Sequence, residues 1–218
     1  MRKFSSRESA GEALANLIVR ATIGKPVVLA IPNGGIPIAL KVSNLIGANT
    51  YICPVVKVKW QANLHIGIGA LSSDKAIMVN KETLSKLEIS PSETIDAINL
   101  AQNDLNAKIK IFSEYTDLEK VKDNTAIIVD DGISSGYTIR SAIKNVRRFN
   151  PLKIVVATPV VSSIYALPCL SDLGIEIIYL KKDNSVFCFI DQHYVQFPNI
   201  DNNLAKRILT ENRPKSLA

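Results

Sequence analysis

Apolar positions repeat at helical spacing over residues 6–22, where Ala10, Ala13, Leu14, Leu17, Ile18 and Ala21 fall on one side and Ser5 or Ser6 can cap the first turn. An amphipathic amino-terminal helix is predicted. The apolar run at 26–31 reads as a strand, 32–35 as a turn, and 36–46 as a helix that Gly47 ends. Residues 51–58 supply the next strand. Beyond it, 60–63 shows no period, and Gly67, Gly69, Ser72 and Ser73 interrupt short apolar pieces, so a flexible loop and hairpin are expected before a strand at 76–79. A long helix over 92–115 should follow Pro91, with Ile95, Ile98, Leu105, Ile109 and Phe112 along one side.

The second half alternates more regularly. Strands are predicted at 125–129, 153–157 and 175–180, with helices at 137–149 and, despite Pro168, at 162–173. Such a βαβαβ series predicts an α/β fold: a parallel sheet flanked by helices on both faces. The tail reads as a short strand at 186–190, a loop at 193–198 and a helix at 201–210.

Length and composition add limits rather than a function. The 218 residues suit a single domain over 1–218 with a substantial core, and 47% hydrophobic with 21% charged residues is ordinary for a globular chain. A net charge of +6 favours polyanionic ligands. The basic residues are scattered, however, and Lys144, Arg147, Arg148, Lys181 and Lys182 read as solvated surface, so nucleic acid is not the expected partner. Cys53, Cys169 and Cys188 are odd in number and far apart, which implies neither a disulfide framework nor a zinc site. Arg2, Lys3 and Arg7 precede no apolar segment of signal-peptide type, and no stretch of about 18 apolar residues occurs. A cytoplasmic protein without a membrane partner is expected.

Residues 125–138, TAIIVDDGISSGYT, carry the chemistry. The apolar run suits a central strand, at whose carboxyl end Asp130 and Asp131 emerge. Behind them Gly132, Ser134, Ser135, Gly136 and Thr138 offer hydroxyls and backbone N–H groups where a helix begins, a geometry suited to an anion. Carboxylates repel phosphate and accept from hydroxyls, so the pair suits a sugar diol or Mg²⁺ while the loop takes a phosphate. An Asp-capped turn without ligand is the plainer reading. A second strand-to-loop junction at Pro32, Asn33, Gly34 and Gly35 repeats the pattern, and two anion loops suit a ligand with two phosphate groups. A Gly-Gly packing turn is the alternative there.

Residues 129–138 resemble the phosphoribosyl pyrophosphate (PRPP) motif of type I phosphoribosyltransferases, with Gly132 where an aliphatic residue is common. The resemblance runs from Phe4 to about Leu209 and is nearest a bacterial and archaeal subgroup whose pyrophosphate loop reads Pro-Arg-Gly-Gly. Asn33 here replaces that Arg. Lys57 matches the Lys of the subgroup's Arg-Lys pair, with Val56 in the Arg position; IGIGA at 66–70 resembles its aliphatic-Gly-Ala stretch, with His65 where Glu is usual. Phe4, Arg7, Ala10 and Gly11 fit its opening helix, and Tyr194 and Phe197 its Tyr-x-x-Phe segment.

The resemblance implies transfer of a 5-phosphoribosyl group from PRPP to a nitrogen acceptor, a nucleobase, with release of pyrophosphate. Gly132, Ile133, Ser134, Ser135, Gly136, Tyr137 and Thr138 would bind the 5-phosphate. Pro32, Asn33, Gly34 and Gly35 would bind pyrophosphate, and Asp130, Asp131 and Lys57 would be catalytic. The two acids would also hold the cofactor Mg²⁺, directly or through ribose hydroxyls or water. A lid is implied at 59–73, a small hood subdomain at about 1–22 and 183–212, and a homodimer is common in such enzymes. His65 is either a surface residue or a proton carrier; Tyr194 and Phe197 either pack or stack on a base. Ser134 stands where some 6-oxopurine enzymes carry an acid, which disfavours a hypoxanthine-guanine acceptor. A non-catalytic PRPP sensor and a metal-dependent phosphate-ester hydrolase are the rival functions.

Overall fold

The structure, a computed structural model, describes residues 3–212, so Met1 and Arg2 of the expected hood lie outside it. Ser6 caps α1 (Arg7–Ile18) through reciprocal hydrogen bonds with Ser9. Then come β1 (Pro26–Ala30), α2 (Gly35–Ile46) and β2 (Asn49–Ile52), with Gly47 in the left-handed conformation, φ 67°, that terminates α2. The strand expected over 51–58 is in fact two. Pro54 has no N–H to continue the ladder on β1, and beyond it β3 (Val55–Lys59) opens a separate antiparallel sheet with β4 (Gly67–Ser72) and β5 (Ile77–Val79). Residues 67–72 are therefore a largely buried strand rather than part of a flexible loop. Residues 60–66 form the loop of this hairpin.

After α3 (Lys81–Lys86), Ser90 and Glu93 form a capping box for α4 (Pro91–Ile111), with Pro91 in its first turn. Its buried residues are Ala97, Ala101, Leu105 and Lys108, whereas Ile95, predicted on the inner side, is exposed. Small alanines let α4 approach Val56, Val58, Ile68 and Leu71 of the antiparallel sheet closely.

β6 (Thr125–Val129), α5 (Tyr137–Val146), β7 (Lys153–Ser162), α6 (Ala166–Leu170) and β8 (Glu176–Asp183) follow. The main sheet is wholly parallel, in the order β2-β1-β6-β7-β8. In β6, Ala126 and Ile128 pack with Ile139, Ala142 and Ile143 of α5, while Ile127 and Val129 pack with Leu14 of α1 and Ile38 of α2. Both faces are thus covered, as the alternation predicts. β7 runs five residues past its predicted end because Val160, Val161 and Ser162 still pair with β8, so α6 starts late. No strand forms at 186–190: Val186 and Phe187 are exposed, and a 3₁₀ turn at Ile190–His193 follows before α7 (Asn202–Glu211). Among the described residues no helix is long and apolar enough to cross a membrane.

The chain leaves β1 towards β2 on one side, and β6 pairs with β1 on the other. Their carboxyl ends form a topological switch point, where open α/β sheets leave a crevice for ligands.

Candidate functional site

A cleft of about 400 Å³ opens at that point, lined by both sequence-predicted loops, both acids and Lys57. Asp130 and Asp131 leave β6 side by side, and the Asp131 N–H donates to Asp130 Oδ1 at 2.8 Å. Arg7 of α1 donates from Nε to Asp131 Oδ2 at 2.9 Å and from Nη1 to the Pro198 carbonyl at 2.8 Å, with its guanidinium carbon 3.7 Å from the Phe197 ring centroid. Tyr194 donates its hydroxyl to the Asp131 carbonyl at 2.7 Å. Loss of water pushes both carboxyls above the ordinary range, Asp130 furthest because the Asp131 charge adds to it; Arg7 opposes the shift at Asp131. Such a pair is short of positive charge. Its hard oxygen donors at the cleft wall fit Mg²⁺.

The loop behind the acids ends at Gly136, φ 85°, which serves as N-cap of α5 without any side-chain cap. The N–H groups of Ser134, Ser135, Gly136, Tyr137 and Thr138 make no hydrogen bond within the described residues. An uncapped helix start with free amides is an anion site in form. Two predicted residues lie differently. The Ile133 N–H is bonded to Val160 and its side chain is buried, and Tyr137 does not reach the cleft wall. Gly132, the odd position in the motif, has a spatial reason: a side chain there would overlap Ile190.

In the other loop, whose Pro32–Asn33 peptide is cis, Asn33 and Gly34 line the cleft, and their N–H groups are likewise unbonded within the described residues. Gly35 lies behind the wall with its N–H on the Ile31 carbonyl. A Cβ on Gly35 would sit 2.6 Å from the Val129 carbonyl oxygen and 3.1 Å from Asp130 Cα, both backbone atoms. Gly35→Ala should therefore wedge the loop off β6 and destabilise the protein by about 1–3 kcal/mol, measurable by urea unfolding. The Asn33 amide donates at 2.9 Å to the Ile200 carbonyl and to Asn202 Oδ1, so the side chain ties the loop to α7.

Cations come instead from Lys57, Lys59, Arg7 and Lys108, all on the cleft wall. Burial first, and repulsion from Lys59 second, lower the Lys57 pKa, with Asp130 acting against them. Gly67 leaves the space through which the Lys57 side chain passes. Lys108 is buried, with Nζ 2.6 Å from Asp104 and 3.3 Å from Asn202. Arg7 and Lys108 had no role assigned from sequence. Each nevertheless lies in its helix's buried stripe, Arg7 with Ala10, Leu14 and Ile18, Lys108 with Ala97, Ala101 and Leu105. A charge inside an apolar stripe was the signal.

A second groove adjoins the cleft at Lys57, Ser134 and Ser135 and is walled by Phe187, Phe189 and Phe197. Phe187 and Phe189 stack with centroids 6.2 Å apart and are both exposed. Tyr194 is buried between Phe4 and Phe197, which assigns it to packing. His65 is exposed at the groove edge.

The family model for the phosphoribosyl transferase domain matches residues 6–169. The chain is 27% identical over 161 residues to "Putative phosphoribosyl transferase Rv0571c" of Mycobacterium tuberculosis, a match that takes in 73% of this chain and 36% of that protein. The chain thus spans about a third of the length of the curated relatives it matches. Among solved structures it is similar to TT1426 of Thermus thermophilus, with a TM-score of 0.69 at 24% identity over 97% of this chain and 99% of that one. It is also similar to AQ2163 of Aquifex aeolicus, with a TM-score of 0.52 at 12% identity over 81% and 74%. These two likenesses concern the fold.

Proposed function

We propose, from the premise that the chain belongs to the phosphoribosyl transferase domain family, that it binds PRPP and transfers the 5-phosphoribosyl group to a nitrogen of a ring acceptor, releasing pyrophosphate. One observation carries the reading: the uncapped start of α5 and the Asp130–Asp131 pair open into the same cleft. The amides of Ser134 to Thr138, with the Ser134, Ser135 and Thr138 hydroxyls, receive the 5-phosphate. The pair accepts from the ribose diol and stabilises the positive charge that grows on the ring as its C1 bond to pyrophosphate breaks. The Asn33 and Gly34 amides, with Lys57, Lys59 and Lys108, take the pyrophosphate oxygens. Mg²⁺ held by the acids and the diol would supply further charge for the leaving group.

The hood falls to residues 3–22 and 183–212, joined where Phe4 and Ser5 pair with 193–196. Its groove with Phe187 and Phe189 suits a flat heteroaromatic acceptor, a base sized to stack. Water is kept from the ribosyl cation when the acceptor and the 60–66 loop cover the cleft.

Titration calorimetry with PRPP and Mg²⁺ tests the donor half. Wild type should bind, and Asp131→Asn combined with Ser135→Ala should weaken binding by about 100-fold or more. No binding by wild type sinks the proposal. A PRPP sensor without catalysis is favoured by one observation, the Asn33 side chain that is spent on α7 instead of pyrophosphate. Pyrophosphate release over a panel of bases separates the two: a sensor binds PRPP and releases none.

A further inference from the structure

Cysteine spacing offered no reason to expect a metal, yet the fold gathers Asp183, Cys188 and His193 so that one ligand atom from each lies within 4.8 Å of the others. The carboxylate is the hub. Asp183 Oδ2 is 2.8 Å from His193 Nε2, the Cys188 thiol also bonds to the carboxylate, and Oδ1 accepts from the Ser185 N–H at 2.7 Å. Asp183 ends β8 and is buried, while Cys188 and His193 are half-buried. None of the three lines the cleft of the acid pair, and Cys188 alone also borders the second groove.

We propose that Asp183, Cys188 and His193 form a site for a borderline-soft divalent ion of the zinc class, with a fourth position open to water. One sulfur, one imidazole nitrogen and one carboxylate oxygen is a donor set that Zn²⁺ and Co²⁺ prefer, whereas Mg²⁺ and Ca²⁺ take oxygen. With metal–ligand bonds of about 2.0–2.3 Å, a tetrahedral site has edges of roughly 3.3–3.8 Å, so the three atoms need only small movements to converge. On binding, the thiol proton leaves to solvent and the imidazole carries its remaining proton on Nδ1. Thiolate and carboxylate then neutralise the ion's charge. Asp183 and His193 also border a surface depression that Lys3, Lys181, Lys182 and Gln192 share, so the cluster is reached from solvent past a basic rim.

The location gives the ion a purpose. It would tie the end of β8 to the turn at His193, whose carbonyl accepts from the Phe4 N–H, and so pin the intervening loop. That loop carries Phe187, Phe189 and Ile190, the wall of the second groove and the residue filled against Gly132. Without metal the same three side chains are a hydrogen-bonded staple.

Titrating the full, EDTA-treated chain with Co²⁺ distinguishes the two. The site should take one Co²⁺ per chain with thiolate-to-metal charge-transfer absorption and the intense visible bands of a four-coordinate ion, and Zn²⁺ should displace it. Cys188→Ser should remove the charge-transfer band, His193→Gln should weaken affinity by more than about 100-fold, and Cys169→Ser should leave both unchanged. Absence of the charge-transfer band in wild type, its survival in Cys188→Ser, or unchanged affinity in His193→Gln each overturns the site. The wild-type spectrum decides the matter even if a variant folds poorly, and no step depends on PRPP.

Discussion

Asp130→Asn is expected to lower PRPP-dependent turnover by about 100-fold or more while raising the melting temperature of the unliganded protein. The folded state holds the Asp130 carboxyl above its usual range, first by burial and then by the Asp131 charge. An acid with a raised folded-state pKa binds more protons folded than unfolded, so stability falls as pH climbs from the unfolded value through the folded one. At neutral pH, above the unfolded pKa, the carboxyl therefore costs stability, and an amide of the same shape removes that cost. Each kcal/mol relieved should appear as about 2–4 °C for a chain of this size. The gain should shrink as pH falls from the folded pKa towards the unfolded one and vanish below the latter, where the carboxyl is protonated in both states. On the proposed function the activity moves the other way, since an amide would not supply the negative charge that a diol, Mg²⁺ or a ribosyl cation would need there; the turnover loss of about 100-fold or more follows from that. Scanning calorimetry at two pH values and a pyrophosphate-release assay give both readings. A destabilised variant at neutral pH would contradict the account of the pair.

Arg7→Met should be among the most destabilising single changes in the protein. The side chains of Arg7 and Asp131 are 7% and 17% exposed, and the Arg also covers Phe197 and bonds the Pro198 carbonyl. Removing one partner of a buried pair leaves the other charge uncompensated, a loss of about 3–5 kcal/mol, or roughly 10 °C in melting temperature. Methionine keeps most of the apolar contact, so the deficit reports charge more than packing. The sign with pH is diagnostic. Without Arg7 the Asp131 pKa rises further above its unfolded value, so the deficit is full above the folded pKa and shrinks as pH falls through it. Urea unfolding at neutral and mildly acid pH measures this; a deficit independent of pH would mean that the guanidinium acts only by packing.

Most of the main sheet was legible from pattern alone. Strands at 26–31, 125–129 and 175–180 and helices at 6–22, 36–46 and 137–149 fall where the apolar periods change, because local sequence fixes which face of an element is apolar. Errors came where pairing partners outweighed local signals. β7 continues past Ala157 because β8 lies beside it, whereas 186–190, with a strand-like run, finds no edge to join. The split at Pro54 between two sheets followed a residue that was visible in the sequence but read as part of one strand. Along α4 the expected side largely holds, with Leu105 and Phe112 buried and Ile98 and Ile109 packed against the core; Ile95 faces solvent, because Ala97 and Ala101 take the positions closest to the sheet.

The family model is consistent with what the motif at 125–138 suggested, and the cleft joins that motif to the glycine loop after β1. Both pieces are contiguous, and a strand that ends in acids followed by glycine and serine can form its loop from neighbouring residues alone. The sequence by itself determined the α/β alternation, the acid pair at a strand end and the donor-rich turn behind it, because those depend on backbone periods and on residues a few positions apart. Only the tertiary structure decided that Arg7 clamps Asp131, that Ile190 fills the space above Gly132, that Lys108 reaches the cleft and that Asp183, Cys188 and His193 meet. Each of those contacts depends on where separate elements or turns of the chain are brought in space, and side-chain partners are selected by packing rather than by proximity along the chain.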